Sequence, residues 1–310
     1  MEEKITLPFI FGIGSQRAGS TFVSHLLNAI PNAYVHPLKE LHYFDTKYGV
    51  RSPQVLELFC KGRLARNIDS MTTYHGQALH ELLTDQVVSD FKFINDPSCK
   101  NHPYAYHFRA ALSRRNDVSY LCESTPEYML LPDQALAEIK TTIPNCKAVL
   151  AVRNPVARFI SAFRFLAAHE SFANEGSEAL SQRAISMLEQ NNAWVKQQDQ
   201  FNRYGHAVSR FEKAGIPVFV ILIDKLQNHL SETLSNLESF LEVKLDNTVI
   251  DNLAGKKINE VDFEFTPSRE LLDKLAERYQ KQEYDIPLQI SPRSELLKHL
   301  PEMWRAALAA

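Results

Sequence analysis

The sequence predicts an α/β fold, a single domain with a mostly parallel central sheet flanked by helices and a P-loop-like core. Three observations lead there. Short apolar runs that end in turn or helix-start residues recur at 5–13, 118–122, 148–152 and 218–223. Several are followed by stretches with helical apolar spacing, at 21–30, 155–168 and 226–241, as expected of buried parallel strands covered on both faces. Finally, there are only 10 glycines in 310 residues and no repeat, low-complexity tract or linker-like segment, so one domain over 1–310 is the expectation.

The first run, Pro8-Phe9-Ile10-Phe11-Gly12-Ile13-Gly14, breaks into Ser15-Gln16-Arg17-Ala18-Gly19-Ser20-Thr21 before Phe22, Val23, Leu26 and Leu27 begin an amphipathic helix. Gly14 and Gly19 have the G-x-x-x-x-G spacing of a phosphate-binding loop, whose backbone N–H groups and helix start surround an anion. A nucleotide triphosphatase needs Lys after the second glycine, but Ser20 stands there and the basic residue, Arg17, lies inside the loop. The loop therefore suits one terminal or diester-like anion, with the hydroxyls of Ser15, Ser20 and Thr21 as further donors. The bland alternative is a tight glycine turn before a helix capped by Ser20.

Between 48 and 117 the pattern weakens into short helices and loops rich in His and Tyr (Tyr74, His75, His102, Tyr104, Tyr106, His107). This insertion is expected either to contribute to an acceptor cleft or to be a plain helical elaboration. The strand at 148–152 then leads into Arg153-Asn154-Pro155, where Asn154 is a good N-cap and Pro155 a good first helical residue. Val156, Phe159, Ile160 and Phe163 form the buried stripe of the helix that follows. Arg153 thus falls at the carboxyl end of a strand, the ligand edge of an open α/β sheet, with Ser161 two turns into the helix. In the last helix Leu230, Leu234, Leu237 and Leu241 mark a core face.

Composition limits the partners. With 34 Lys plus Arg against 37 Asp plus Glu, the formal charge is −3, which gives no bulk attraction to nucleic acid or anionic membrane. No apolar stretch is long enough to span a bilayer, and the Met1-Glu2-Glu3-Lys4 start does not resemble a signal peptide, so a soluble, cytoplasmic chain is expected. Cys60, Cys99, Cys122 and Cys146 show neither CxxC pairing nor zinc spacing, which points to reduced, buried thiols and no metal.

Together, the 14–21 segment and Arg153-Asn154-Pro155-Val156-Ala157-Arg158-Phe159-Ile160-Ser161 resemble the 5′-phosphosulfate loop and 3′-phosphate motif of sulfotransferases that use 3′-phosphoadenosine 5′-phosphosulfate (PAPS). Lys39-Glu40-Leu41-His42-Tyr43-Phe44-Asp45 is similar to the E-x-H-[FY]-F-D segment of the heparan sulfate O-sulfotransferase branch. Glu123-Ser124-Thr125-Pro126-Glu127-Tyr128 is similar to that branch's E-K-T-P-x-Y. The resemblance implies one sulfotransferase domain that binds PAPS, and its product PAP, through Gly14, Ser15, Gln16, Arg17, Ala18, Gly19, Ser20 and Thr21, with Arg153 and Ser161 on the 3′-phosphate. It also implies nucleotide contacts from Tyr204, Lys256 and Lys257, although Tyr204 also reads as core and the two lysines as a surface turn.

Arg17 is the expected cation on the departing phosphate and Glu40 the expected base for an acceptor hydroxyl or, less readily, an amine. His42 stands as the alternative base or its orienting partner, and Asp45 as a holder of His42. Ser124 replaces the lysine of E-K-T-P, which argues for an acceptor less anionic than heparan sulfate: a small molecule, a carbohydrate or a carrier-tethered group. Two rivals remain. A P-loop nucleotide kinase or NTPase is opposed by Ser20, and a non-catalytic nucleotide-binding module by the presence of Arg17, Glu40 and Arg153 together.

Overall fold

The computed structural model describes residues 4–73, 76–170, 172–251 and 263–280. Five strands form one sheet in the order β2-β3-β1-β4-β5, with β1 Phe9–Gly12, β2 Ala33–Val35, β3 Tyr120–Ser124, β4 Cys146–Val152 and β5 Val218–Leu222. Every pairing is parallel, from Ala33 against Tyr120 at one edge to Val152 against Leu222 at the other. Side chains alternate across the sheet, so Phe9 and Phe11 enter one apolar layer while Ile10 enters the other, with Val23, Leu26 and Leu27 of helix α1 (Ser20–Leu27). The short apolar runs are uninterrupted because both faces are covered.

Chain order reverses around β1, which lies between β3 and β4. In such sheets the crevice outside the carboxyl ends at the reversal is the ligand position. The loop after β1 and the Arg153 corner after β4 both open there.

The strands and helices read from sequence are present with shifts of a few residues. The insertion differs from expectation. It is not short helices and loops but a hairpin of two long helices, α3 Pro53–Thr73 and α4 Gln77–Asn95, which follow α2 (Tyr43–Lys47) and precede α5 (Tyr106–Arg114). Its apolar periodicity is blurred because Leu58, Phe59, Ile68 and Phe91 point outward. Of its His and Tyr residues, Tyr104 and His107 are core, buried against Phe9, Tyr43 and Phe44, while His102 and Tyr106 are half-buried. Tyr74 and His75 lie outside the described residues.

Beyond the insertion come α6 (Asp133–Thr142) and α7 (Pro155–His169). Asn154 caps α7 as the sequence suggests, its side-chain oxygen accepting from the Val156 and Ala157 N–H groups at 3.0 and 3.2 Å. Helices α8 to α13 follow at Ser177–Gln190, Ala193–Gln200, Tyr204–Lys213, Leu226–Leu241, Asn247–Asp251 and Arg269–Gln280. All four cysteines are buried and free. Among the described residues no helix is long and apolar enough to cross a membrane.

Candidate active site

The loop between β1 and α1 is shaped by its glycines. Gly14 has φ +136°, and a Cβ there would fall 2.8 Å from the Pro126 carbonyl oxygen; Gly19 has φ +96° and would meet Ile223 Cδ1 at 2.6 Å. Both positions lie in the region that favours glycine, and at Gly14 the backbone carbonyl of Pro126 also leaves no room for a side chain. Gly19, rather than Ser20, is the N-cap of α1, and it provides no side-chain hydrogen bond to the first-turn N–H groups. Helix-start N–H groups have no acceptor within the helix, which suits this end to an anion.

Ser15 plays a different part from the one its position in the motif suggested. Its hydroxyl donates to Phe201 O at 2.8 Å and its N–H to Ala151 O at 2.8 Å, so both donors anchor the loop. The Ala18 N–H donates back to Ser15 O. Gln16 reaches Glu127 through Nε2 at 3.4 Å, and its carbonyl accepts from Arg158. Arg158 was not singled out from the sequence, yet it is fully buried. Its guanidinium donates to Asn202 Oδ1 (2.5 Å), Gln198 Oε1 (3.0 Å), Gln198 O (2.7 Å) and Gln16 O (3.4 Å), tying the loop and α7 to Gln198 of α9 and to Asn202 just after it. The available signal was an arginine beside Phe159 on the buried stripe of α7.

Arg17 donates from Nε to Ser161 Oγ at 3.3 Å and lies over the Phe165 ring at 4.9 Å. The two phosphate motifs therefore meet through side chains. Burial lowers the Arg17 pKa, and the charges of Arg153 and Arg164 lower it further, while Glu40 works in the opposite sense. Like charges gathered at a strand-end crevice are costly unless an anion joins them. Arg153 itself faces Asp224 at 3.8 Å, and its carbonyl accepts from Tyr204 Oη at 3.0 Å. Tyr204 is buried and also donates toward Asn202 Oδ1 at 3.3 Å, so in this structure it holds the strand end, the core role that the sequence left open. Lys256 and Lys257 lie outside the described residues.

The segment after β2 brings Lys39, Glu40 and His42 to the same crevice. Lys39 Nζ donates to Thr21 Oγ1 at 2.9 Å and to Glu40 Oε1 at 3.3 Å, placing an ammonium beside the loop that lacks the NTPase lysine. His42 is a positive-φ residue whose Nδ1 meets Asp45 Oδ2 at 2.7 Å and whose Nε2 lies 3.5 Å from Glu40 Oε2. Burial disfavours its charge, but Asp45, Glu40 and Glu127 outweigh burial and push the His42 pKa up to about 9. For Glu40, burial is opposed by the His42 hydrogen bond and charge and by Lys39, which together hold the carboxyl well below its ordinary range. The two shifts run in the same sense, favouring a charged His42 beside an ionised Glu40.

Two further residues complete the cluster. Glu127 Oε1 accepts from Arg51 at 3.1 Å, and its Oε2 is buried without a hydrogen bond. Burial raises the Glu127 pKa. Glu40, His42 and Glu127 place ligand atoms within 4.8 Å of one another, a spacing that a metal ion could use. In this structure Glu40, Asp45 and Glu127 face the His42 imidazole, Lys39 and Arg51.

The Glu123-Ser124-Thr125 segment supports this cluster from below. Thr125 Oγ1 accepts from the Leu41 and His42 N–H groups at 3.1 and 3.4 Å and donates to Glu123 Oε2 at 3.3 Å. Glu123 is fully buried; burial pushes its pKa up to about 7, and Tyr104 donates to it at 2.8 Å. Ser124 is buried, with its Oγ only 2.6 Å from where a Gly12 Cβ would stand. Ser124 thus contributes no cation to the crevice.

The loop after β1 with Arg17, and the Lys39–Glu40–His42 segment after β2, share one strand-end crevice. The chain belongs to the sulfotransferase family, whose profile matches residues 8–247. Among solved structures, a sulfotransferase from Alicyclobacillus acidocaldarius matches 97% of this chain and 100% of its own at 15% identity, with a TM-score of 0.53, and shows the shared fold. The sulfotransferase domain of the Synechococcus PCC 7002 olefin synthase matches 91% of this chain and 97% of its own at 16% identity and a TM-score of 0.44. Sulfotransferase STF9 from Mycobacterium avium matches 89% and 76% at 14% identity, also with a TM-score of 0.44. No curated protein matches the chain in sequence.

Proposed function

We propose that this member of the sulfotransferase family transfers the sulfuryl group of PAPS to an acceptor hydroxyl by in-line displacement, with Glu40 as general base and PAP as product. The reading rests chiefly on one observation: Arg17 Nε donates to Ser161 Oγ at 3.3 Å, joining the two segments read as phosphate motifs, with burial and the repulsion of Arg153 and Arg164 disfavouring the Arg17 charge. A phosphosulfate and a 3′-phosphate would relieve that repulsion. Gly14, Gln16, Gly19, Ser20 and Thr21 would surround the 5′-phosphosulfate, with Ser15 and Ala18 shaping the loop. Arg17 would stabilise charge on the departing phosphate, and Arg153 with Ser161 would hold the 3′-phosphate. Preorganised donors of this kind are each worth about 3 to 4 kcal/mol in a transition state.

Lys39 lies between Thr21, on the leaving side, and Glu40, on the acceptor side, so its ammonium borders the path of the sulfuryl group. The acceptor proton passes to a Glu40 oxygen as the acceptor oxygen attacks sulfur and the bond from sulfur to the 5′-phosphate oxygen breaks. His42, protonated and held by Asp45, orients Glu40 rather than taking the proton itself. The low basicity of Glu40 in the free site suits a base that acts late, when the acceptor oxygen has become acidic.

Within the family we place the chain near the heparan sulfate O-sulfotransferase-like branch on its Glu40-Leu41-His42-Tyr43-Phe44-Asp45 segment, and we read residues 1–310 as one domain in a soluble, cytoplasmic protein. The acceptor classes stay as the sequence left them: a small molecule, a carbohydrate or a carrier-tethered group. The test is transfer of labelled sulfonate from PAPS to representatives of these classes. Labelled product with the native chain, and a roughly 10²–10⁴-fold loss in kcat with Glu40→Gln at unchanged PAP affinity, supports the reading. Full turnover by Glu40→Gln contradicts the base assignment.

A further inference from the structure

Behind the Lys39–Glu40 segment, the insertion contains a run of buried polar side chains that the transfer chemistry does not use. The Leu38 N–H donates to His36 Nδ1 at 3.1 Å, so this nitrogen carries the lone pair and the His36 proton is on Nε2. Nε2 faces Ser89 Oγ of α4 at 3.1 Å, and the same Oγ lies 3.1 Å from His107 Nδ1 on α5. His107 Nε2 lies 3.1 Å from His102 Nε2, and His102 Nδ1 lies 2.9 Å from Asp96 Oδ2. Asp96 also accepts from the Asn101 N–H at 2.7 Å and from Ser98 Oγ at 3.1 Å, a saturated, ionised end for the chain.

With neutral imidazoles this run has one consistent set of protons. His36 Nε2–H donates to Ser89, the Ser89 hydroxyl to His107 Nδ1, His107 Nε2–H to His102 Nε2, and His102 Nδ1–H to Asp96. The surroundings favour neutrality. Burial pushes His36 down to about 3 and His107 well below its ordinary value, with Lys92 acting in the same sense on both. His102 is also lowered by burial, against the pull of Asp96. The other charged neighbours are Arg63 of α3, paired with Asp90, and Lys47 of α2, while the rings of Tyr43, Phe93 and Phe108 pack on the imidazoles. A parallel line from the same hairpin holds the adjacent carbonyl: Gln86 Nε2 donates to Pro37 O at 3.0 Å, and Gln86 Oε1 accepts from Asn67 Nδ2 at 2.9 Å.

We propose that His36, Ser89, His107, His102 and Asp96 form a one-way hydrogen-bond relay through which the insertion positions the segment carrying Lys39 and Glu40. This role rests on the proposed Glu40 chemistry; the proton arrangement itself does not. The relay has one entry for a proton, His102, the most exposed of its histidines. A proton taken at His102 Nε2 turns that nitrogen into a donor, so His107 must accept at Nε2 and move its own proton to Nδ1. Ser89 then receives two N–H donors, and the link between His36 and Asp96 loses its direction.

The test uses the full chain with ¹⁵N-labelled histidine and long-range ¹H–¹⁵N spectra at about pH 7.5, where a free imidazole is neutral. The expected tautomers are Nε2–H at His36 and His107 and Nδ1–H at His102, with the His107 proton moving to Nδ1 as His102 titrates. An Nδ1–H tautomer at His107 at the outset, or titration of His102 with no response at His107, overturns the relay.

Its positioning role is read from acceptor-independent hydrolysis of PAPS. Ser89→Ala should lose about tenfold or more in kcat while keeping PAP affinity within about threefold, and Ser89→Thr should recover most of the loss. If Ser89→Ala does not fold, His102→Gln at the outer end serves instead. Wild-type kcat in a folded relay variant contradicts the positioning role. Failure of the native chain to bind PAP would defeat the proposed function while the tautomers still decide the relay.

Discussion

Replacing His42 by Asn separates the two candidate bases, because Asp45, Glu40 and Glu127 together favour the charged imidazole. Asn suits the site's positive φ and removes the titrating group without adding backbone strain. The His42 pKa is raised from 6.5 to about 9, a difference worth about 3 kcal/mol of native-state stability at 1.36 kcal/mol per unit. The folded value lies above the unfolded one, so this stability is complete below pH 6.5 and disappears as the pH rises through about 9. Lys92, which burial pushes down to about 8, contributes an opposite slope in the alkaline range, and subtracting the variant's stability from the native one cancels it.

Urea unfolding of both proteins near pH 6 and pH 9.5 provides the measurement, with the native advantage expected to shrink by about 3 kcal/mol over that interval. A native-minus-variant difference that is the same at both pH values refutes the imidazolium. The kinetic corollary is that activity should show no acid limb near 6.5, the mark of a histidine base, and should fall on the alkaline side as His42 loses its proton.

Other substitutions probe the supports of the site. Arg158→Met strands the carbonyl and amide oxygens of Gln198 and Asn202 in the core and frees the Gln16 carbonyl, so a loss of about 3 kcal/mol or more is expected in thermal unfolding; an unchanged Tm would deny the clamp. Thr125→Val keeps the side-chain shape but deprives the Leu41 and His42 N–H groups of their acceptor, which should cost about 1 to 3 kcal/mol and reduce turnover more than PAP binding. Arg17→Lys should retain much of the turnover lost in Arg17→Ala, where at least a roughly 10²-fold fall in kcat is expected; equal losses would show that the guanidinium fork is required.

The parts of the site legible in the sequence are those set by local rules. An apolar run, two glycines at loop spacing and a helix start mark the β1 corner, and Asn154-Pro155 marks the α7 corner, since caps and turns are decided within a few residues. Strand β2 has only three residues, too few to show a period. The long α3–α4 hairpin was obscured because it exposes Leu58 and Phe59, so its apolar residues do not fall into one stripe. The Arg51–Glu127 pair and the bonds of the buried Arg158 to Gln198 and Asn202 form across sequence separations of 40 or more, which no local spacing reports. Ser15 and Tyr204 sit in the motifs, yet their polar atoms are taken up by Phe201, Ala151 and Arg153, because a phosphate-binding loop must itself be anchored.

The ligand proposed for the crevice between β1 and β4 is a 3′-phosphorylated nucleotide with a terminal 5′-anion. Calorimetric titration of the native chain and of Arg153→Ala with PAP and with ATP tests it most directly. The account predicts that PAP binds, that ATP binds far more weakly, and that Arg153→Ala weakens PAP by about 1.5 to 3 kcal/mol, the range for a hydrogen bond to a charged group. Binding of ATP as tight as that of PAP, or an unchanged PAP affinity in folded Arg153→Ala, would contradict it.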